Sequence, residues 1–221
     1  MVVTPRDEKM LHFVGRHGVV TTAHVAGHLG MGQWAAYRRV RALIAAGLLR
    51  RDAVFWKQPE VLRLTPTGAR LANLGLAPAE LVAAEIRHQL GLVTLSERLL
   101  PAHPGSSFRT ERELRAGQLR QWRDQGRRPA LARIPDGILV PASGERIALE
   151  LDRTTKRARD IERLIDVYRG MYSRDPDAEG YAGLWWYARP EACARMRAAV
   201  AAKRADDLIQ VEEWNDDCTT S

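Results

Sequence analysis

Two Thr-Pro dipeptides bracket the first third of the chain and constrain its fold more than any other feature. Threonine is a favoured N-cap residue and proline fits the first turn of a helix, so Thr4-Pro5 and Thr65-Pro66 each predict the start of a helix. Between them, Gly18, Gly30 and Gly47 each follow apolar residues at helical spacing and predict helix ends. This segment can therefore hold only short elements.

These signals predict a definite order of elements. Three helices are expected to end at the three glycines, followed by strands over residues 48–56 and 61–64 and a helix over residues 67–74. Helix, short helix, helix, hairpin, helix is the order of a winged helix-turn-helix domain, here over residues 1–76. In such a domain the third helix enters the major groove of DNA and the hairpin contacts the backbone.

The excess positive charge of the chain lies in the same segment. Residues 1–76 contain 11 Lys and Arg against 4 Asp and Glu, whereas residues 77–221 contain 23 of each. A fold does not need this excess, but a polyanionic partner would favour it. Because the sequence shows no Lys/Arg-rich amphipathic helix with an aromatic apolar face, we expect nucleic acid rather than a membrane surface as the partner.

The third predicted helix carries the candidate DNA contacts. Residues 32–47 include three arginines and no acidic residue, whereas a merely solvated helix usually mixes both charges. At about 100° per residue, Trp34, Arg38 and Arg41 share the outer face. The predicted inner face comprises Ala36, Tyr37, Val40, Leu43 and Ile44. The predicted DNA-binding residues of the helix and hairpin are Gln33, Trp34, Arg38, Arg39, Arg41, Arg51 and Lys57. The alternative is that the arginines only solvate an exposed helix face.

The rest of the chain predicts a second domain. Residues 77–108 predict a helical connector that ends in a turn-forming stretch. Residues 109–205 predict an α/β domain, and residues 206–221 predict an acidic, loosely ordered tail. Within the domain, strands are expected over 134–140, 146–152 and 181–187, and helices over 110–122, 155–171 and 190–203. The expected fold class is α+β, with a winged helix-turn-helix followed by an α/β domain that has a mixed sheet.

Acidic residues of the second domain are expected on neighbouring strands. Glu150 and Asp152 are two residues apart and share a face of one strand, and Asp136 approaches them if the two strands pair as a hairpin. Converging carboxylates suit Mg²⁺ or Mn²⁺, with Glu111 of the preceding helix as a fourth oxygen ligand. Such a metal activates water at a scissile phosphate. The alternative is that the strand acids form salt bridges with Arg153, Lys156 or Arg157.

Several segments resemble known families. Residues 134–152 resemble the core of PD-(D/E)XK nucleases, which pairs an Asp on one strand with Glu-x-Lys on the next. Over about residues 5–200 the chain resembles the actinobacterial plasmid replication-relaxation family. The matching segments are Leu64-Thr65-Pro66-Thr67-Gly68, Thr110-Glu111-Arg112-Glu113-Leu114, Pro135-Asp136-Gly137, Glu150-Leu151-Asp152-Arg153 and Tyr168. The resemblance implies association with plasmid or mobile-element DNA and a restriction-endonuclease-like second domain.

The nuclease pattern is incomplete in this chain. Asp152 stands where the pattern has Lys, so the cation that usually stabilises the transition state is missing from that strand. Lys156 on the following helix is the candidate substitute, which makes Asp136, Glu150 and Lys156 the candidate catalytic residues. The other interpretation is an inactive nuclease-like domain that grips DNA or dimerises.

We therefore expect a double-stranded DNA-binding protein of plasmid or mobile-element maintenance. A metal-dependent endonuclease or relaxase-like nicking enzyme is the first alternative, and a transcriptional repressor is the second. Two cysteines, no secretory signal and no apolar run long enough for a membrane span favour a cytoplasmic protein without a membrane partner. A homodimer is compatible with this interpretation, and Mg²⁺ or Mn²⁺ is the candidate cofactor.

Overall fold

The computed structural model describes residues 2–125, 133–173 and 180–215. Within these ranges the chain forms eight α-helices and two β-sheets with eight strands in total, which confirms the predicted α+β fold class. None of these eight helices is both long enough and apolar enough to cross a membrane. The chain divides into two compact units, of which the first ends at Arg98 and the second begins at Leu99.

The first unit contains its elements in the predicted order. They are α1 (Pro5–His17), β1 (Val20–Thr21), α2 (Thr22–His28), α3 (Gln33–Ala45), β2 (Leu49–Asp52), β3 (Val61–Leu64), α4 (Pro66–Ala72) and most of α5 (Ala83–Ala102). Thr4 caps α1 and Thr65 caps α4 as expected, because each side-chain oxygen accepts the backbone N–H three residues further on.

The three strands of this unit form an antiparallel sheet of order β1-β3-β2. In the hairpin, Leu49 pairs with Leu64 and Asp52 pairs with Val61. Helices α1, α2 and α3 contribute apolar side chains at helical spacing to a core shared with the strands. This core includes Met10, Leu11, Val14, Val25, Val40, Leu43, Leu49 and Leu62.

The second unit is built on a five-stranded sheet of order β4-β5-β6-β7-β8. Its elements are β4 (Ser107–Thr110), α6 (Glu111–Gln125), β5 (Gly137–Val140), β6 (Ile147–Asp152), α7 (Ala158–Gly170), β7 (Gly183–Ala188), α8 (Pro190–Ala202) and β8 (Ile209–Glu213). The first three strands pair antiparallel and the last three pair parallel, so the sheet is mixed as predicted. Helices α7 and α8 supply the long connections that parallel strands require.

Apolar residues of α7 and α8 form the main core of this unit with one face of the sheet. Ile161, Leu164, Ile165 and Tyr168 are buried at a spacing of three and four along α7. They belong to the same cluster as Ala148 of β6 and Trp186 of β7. The position of Tyr168 in this core brings its hydroxyl group to Glu150 of β6.

The strand predicted over residues 48–56 ends early, at Asp52. Val54 and Phe55 leave the hairpin ladder and pack against a small buried cluster that includes Val61 of β3. Residues 53–60 consequently form a loop between the two strands. Side-chain burial outside the ladder therefore outweighed the strand preference of these residues.

The predicted domain boundaries at residues 76 and 108 differ from the observed division after Arg98. Within the predicted connector, Ile86 joins the small cluster around Val61, and Val93 joins the main core of the first unit. At the other end of the connector, Ser107–Thr110 is strand β4, which pairs with β5. Its burial alternates along four residues, and Phe108 is the one large apolar side chain among them, which is too short a pattern to separate a strand from a turn in the sequence.

The prediction of a loose tail from residue 206 is wrong in its first part. Ile209 and Val211 are buried in β8, which pairs with β7 along the edge of the sheet. Trp214 is also buried, and its backbone N–H donates to the carbonyl of Ala188 at 2.6 Å. The remainder of the predicted tail, residues 216–221, lies outside the described residues.

Candidate functional site

The outward side of α3 presents aromatic, polar and basic side chains. Trp34 is 79% exposed, and Gln33, Arg38 and Arg41 are also exposed. On the opposite side, Ala36, Val40 and Leu43 are buried in the core of the first unit. The buried side fixes the orientation of the helix, so Trp34, Arg38 and Arg41 lie where the helical spacing predicted.

The charges on this side of α3 are not neutralised within the described parts of the chain. The helix contains no acidic residue. Arg38 and Arg41 form no ion pair or side-chain hydrogen bond with another described residue. Two exposed guanidinium groups three residues apart are therefore available to an anionic ligand.

Arg39 has a different environment from its neighbours. Its guanidinium forms two hydrogen bonds with the carboxylate of Asp7, which is fully buried in α1. Thr4 also donates its backbone N–H to that carboxylate, at 2.7 Å. Burial alone raises the pKa of Asp7, but hydrogen bonds from Arg39 and Thr4 outweigh this effect and lower the pKa to about 2. Arg39, which the sequence assigned as a DNA contact, thus joins α3 to α1 in the structure.

A line of contacts connects α3 with the β2–β3 hairpin. Tyr37, predicted on the buried side, is instead 40% exposed, and its ring meets the Trp34 ring edge-on with 6.0 Å between centroids. The Arg51 guanidinium lies 5.3 Å from the centroid of the Tyr37 ring. Its Nη1 atom is also 3.1 Å from Oε2 of Glu60 on the hairpin. Arg51 is therefore partly neutralised.

The hairpin loop presents two exposed residues, Lys57, which the sequence predicts as a DNA contact, and Trp56, which it does not. Lys57 is exposed and has a φ of 55°, in the left-handed region. Trp56 beside it is 86% exposed. It was missed because it was assigned to the end of a strand, where a tryptophan packs. The available signal was the turn-forming stretch Lys57-Gln58-Pro59-Glu60 directly after it.

In the second unit, Glu150 is buried and bound by two donors. Its two carboxylate oxygens accept hydrogen bonds from Nε and Nη2 of Arg133, both at 2.8 Å. The hydroxyl of Tyr168 donates to Oε1 at 2.6 Å. Such a bidentate, charge-assisted pair compensates for the burial of the carboxylate.

The pKa values of Glu150 and Tyr168 are shifted by burial and by the charges around them. Burial raises the pKa of Glu150, an effect that hydrogen bonds from Arg133 and Tyr168 oppose and the nearby Asp136 reinforces. Burial and the adjacent Glu150 carboxylate raise the pKa of Tyr168 far above its usual range. The Tyr168 hydroxyl therefore stays protonated and acts as a hydrogen-bond donor.

The other predicted acids have partners of their own. Asp152 Oδ2 accepts the indole N–H of Trp186 at 2.9 Å, and its Oδ1 contacts Nζ of Lys156. Asp136 Oδ2 accepts the backbone N–H of Leu151 at 2.8 Å. Glu111 forms an ion pair with Arg115 one turn along α6. Lys156, the candidate catalytic lysine, consequently binds Asp152 rather than Glu150.

These contacts do not fit a site for Mg²⁺ or Mn²⁺. Asp136 reaches β6 as predicted, but in the residues that the structure describes no group of three or more His, Cys, Asp or Glu side chains could hold a metal ion. Glu150 and Asp152 already bind fixed cations, Arg133 and Lys156. The described structure thus does not assemble the predicted metal site of Asp136, Glu150, Asp152 and Glu111. The ion-pair alternative fits Asp152, which binds Lys156, whereas Glu150 binds Arg133, a residue outside the predicted partners.

The chain matches a known protein family. The profile described as replication-relaxation matches residues 11–210, nearly the full length of the chain. The chain belongs to the replication-relaxation family. The predicted membership of this family is confirmed, and it supports a function related to plasmid replication or mobile elements. No curated protein gives a significant match.

One solved structure that this replication-relaxation protein matches resembles it only distantly. An O-methyltransferase family protein from Burkholderia thailandensis aligns with 95% of the chain at 19% identity and a TM-score of 0.23. The alignment covers 61% of that protein, so the chain spans about three fifths of its length. At this TM-score the likeness carries no argument about function.

Two glycines in the segments that carried the family resemblance have structural roles. A Cβ atom at Gly68 would lie 2.0 Å from the backbone oxygen of Leu48, so only glycine lets α4 begin so close to the hairpin. A Cβ atom at Gly137 would lie 2.8 Å from the ring of Phe108 on the neighbouring strand β4. These positions of the replication-relaxation protein therefore serve close packing.

Proposed function

We propose that this protein binds double-stranded DNA through the outward side of α3 in a process of plasmid replication or mobile-element maintenance. The observation that carries the proposal is the exposed pair Arg38 and Arg41 on a helix without acidic residues, whose opposite side is buried. A helix of this kind fits the major groove of B-DNA. Arginine there donates to phosphates and to the edge of guanine.

The arrangement of the surrounding elements supports a winged helix-turn-helix unit. Helix α2 precedes α3 with residues 29–32 between them, and the β2–β3 hairpin follows α3 directly. In this class of domain the second helix of the pair reads the major groove and the hairpin contacts the adjacent backbone. Lys57, and in part Arg51, which is paired with Glu60, extend the basic surface from α3 onto the hairpin. Gln33 adds a polar group able to read a base.

The proposal does not include DNA cleavage. Glu150 and Asp152 bind cations of the chain itself, and Tyr168 of α7 adds a hydrogen bond to Glu150. Contacts of this kind hold α7 and the segment before β5 against β6. They support a structural role for the acidic residues of the second unit.

The test compares two double variants of the full chain. Arg38→Ala/Arg41→Ala should lower the affinity for a mixed-sequence duplex of about three helical turns at least tenfold, because phosphate and base contacts are lost. A plot of the logarithm of the association constant against the logarithm of the salt concentration should become less steep by about 2. Each lost phosphate contact accounts for roughly 0.9 of this change, and two such contacts are removed. Fluorescence anisotropy over a series of salt concentrations measures both quantities.

The matched control is Arg159→Ala/Arg163→Ala, which removes the same charge from exposed positions on α7. It should leave affinity and salt slope close to those of the wild-type protein. Equal losses in both double variants would indicate a general charge effect, and undiminished binding by the α3 variant would contradict the proposal.

A further inference from the structure

Two adjacent aromatic residues of the loop 53–60 have opposite environments. Phe55 is half-buried against the small cluster that contains Val61 and Ile86, and its ring lies 4.6 Å from the guanidinium carbon of Arg87. Trp56, the next residue, is 86% exposed. It makes no ring contact or side-chain hydrogen bond with another residue of the described ranges. The loop is thus anchored by one aromatic ring and projects the other into solvent.

The base of this loop is held in place by contacts on both strands. Asp52 pairs with Val61 in the ladder, and the ion pair between Arg51 and Glu60 joins the two sides. Within the loop, the Gln58 N–H donates to the carbonyl of Phe55 at 3.3 Å. A tryptophan presented from such a closed turn loses less conformational entropy on binding than one on a free segment.

The charges of the hairpin indicate which kind of partner suits Trp56. Asp52 is bound by Arg50 and Arg63, at 2.8 and 2.7 Å, and Glu60 is bound by Arg51. The exposed residue directly beside Trp56 is Lys57. The acids of the hairpin are therefore neutralised internally, and the loop offers an aromatic ring next to a cation.

An exposed aromatic ring beside a cation matches the chemistry of a base step flanked by phosphates. Apolar side chains that enter between base pairs unstack them and bend the duplex. Arg51 touches Tyr37 of α3 and Glu60 of the hairpin, so the loop belongs to the same surface of the first unit as Arg38 and Arg41.

We propose that Trp56 is a wedge that inserts between base pairs of the duplex bound by α3 and bends it. The inference rests on the proposed function, to which it adds an activity, the local distortion of DNA. A bent or unstacked site is a step toward strand opening, which α3 alone would not produce.

The experiment uses the full chain and a mixed-sequence duplex with a donor and an acceptor fluorophore at its ends and 2-aminopurine at internal positions. Wild-type protein should raise energy transfer and 2-aminopurine fluorescence on binding. Trp56→Ala should bind with an affinity reduced less than about tenfold, because the phosphate contacts of α3 remain, but it should cause neither signal. Trp56→Phe should keep part of both.

The matched control is Trp122→Ala, which removes a tryptophan that is 51% exposed on α6. It should distort the duplex as the wild-type protein does. Because Trp56 is almost fully exposed, its replacement leaves the core intact, which circular dichroism can verify.

Other results would overturn the wedge or the proposed function. A wild-type protein that binds the duplex without bending it overturns the wedge but not the proposed function. The wedge is also overturned if Trp56→Ala bends the duplex as much as the wild-type protein does. It is likewise overturned if Trp56→Ala and Trp122→Ala lose the bending of the duplex to the same extent. If Trp56→Ala changes only self-association, the loop is a contact between copies of the chain and the inference is wrong. If the wild-type protein does not bind duplex DNA, the proposed function itself fails.

Discussion

At the scale of single residues, neighbouring arginines on α3 have separate roles. Arg38 is exposed and makes no ion pair in the described part of the chain, whereas Arg39 binds the buried carboxylate of Asp7. The difference follows from helical geometry, since a rotation of about 100° per residue turns Arg39 toward α1. Replacing Arg39 should therefore affect mainly the stability of the fold, and replacing Arg38 should affect mainly DNA binding.

We expect Arg39→Ala to lower the free energy of unfolding by about 3 kcal/mol, because it leaves the buried Asp7 charge without its cation. Arg38→Ala should change the free energy of unfolding by less than about 0.5 kcal/mol and should weaken DNA binding instead. Urea denaturation and duplex titration of both variants measure the two effects. Equal destabilisation by the two changes would contradict these roles.

The pH dependence of the Asp7 pair provides an independent check of this prediction. The pKa of Asp7 is about 2 in the folded chain and about 3.8 when unperturbed, so its stabilisation is complete above the higher value. It is lost as the pH falls through the lower value. Asp7→Asn should cost about 2 kcal/mol at neutral pH, and this difference from the wild-type protein should shrink as the pH falls below about 4.

At the scale of elements, the edge strand β8 completes the parallel part of the second sheet. Its residues alternate, with Ile209 and Val211 buried and Gln210 exposed. The following Glu212 and Glu213 are exposed and place charge on the sheet edge, which disfavours pairing with another chain. A segment with an acidic, polar composition is therefore an integral strand of the fold.

Two substitutions in β8 distinguish a strand from a loose tail. Val211→Asp should lower the free energy of unfolding by about 3 kcal/mol, because it buries an unpaired charge against the main core of the unit. Gln210→Asp introduces the same side chain at the adjacent exposed position and should have little effect. Thermal unfolding of the two variants checks the prediction, and similar midpoints would show that β8 does not support the fold.

At the scale of the whole molecule, positive charge and the proposed DNA surface belong to the same unit. Residues 1–98 contain 13 Lys and Arg against 7 Asp and Glu, whereas residues 99–221 contain 21 against 20. The division after Arg98 assigns the first part of α5 to the basic unit, where Ile86 and Val93 are fully buried. The unit that we propose binds DNA is therefore longer than the 76 residues predicted.

Two fragments test this organisation. A fragment of residues 1–98 should fold and bind duplex DNA with a salt-dependent affinity, because it contains the complete core and α3. A fragment of residues 1–76 lacks Ile86 and Val93 and should be less stable, since it exposes apolar residues that they cover. Circular dichroism during heating and anisotropy titration compare the two. Equal stability would place the boundary at residue 76 after all.

Consecutive residues were enough to predict most helices, the fold class and the outward side of α3. The threonine caps, the glycines that end helices and the 100° rotation per residue are local properties, and the structure contains the elements they predict. Arg38 and Arg41 are exposed for the same reason. The acids on β6 were also correctly expected to share one strand face with Asp136 nearby.

Only the tertiary structure decided which charged side chains form ion pairs with other parts of the chain. Arg39 and Asp7 are 32 residues apart, and Arg133 and Glu150 are 17 apart, so no local pattern links either pair. Glu150 and Asp152 bind Arg133 and Lys156 in the structure, and these partners could not be predicted from the spacing of the two acids along β6. Strands β4 and β8 are short edge strands, and the pairing with β5 and β7 that satisfies their backbone hydrogen bonds is a property of the assembled sheet.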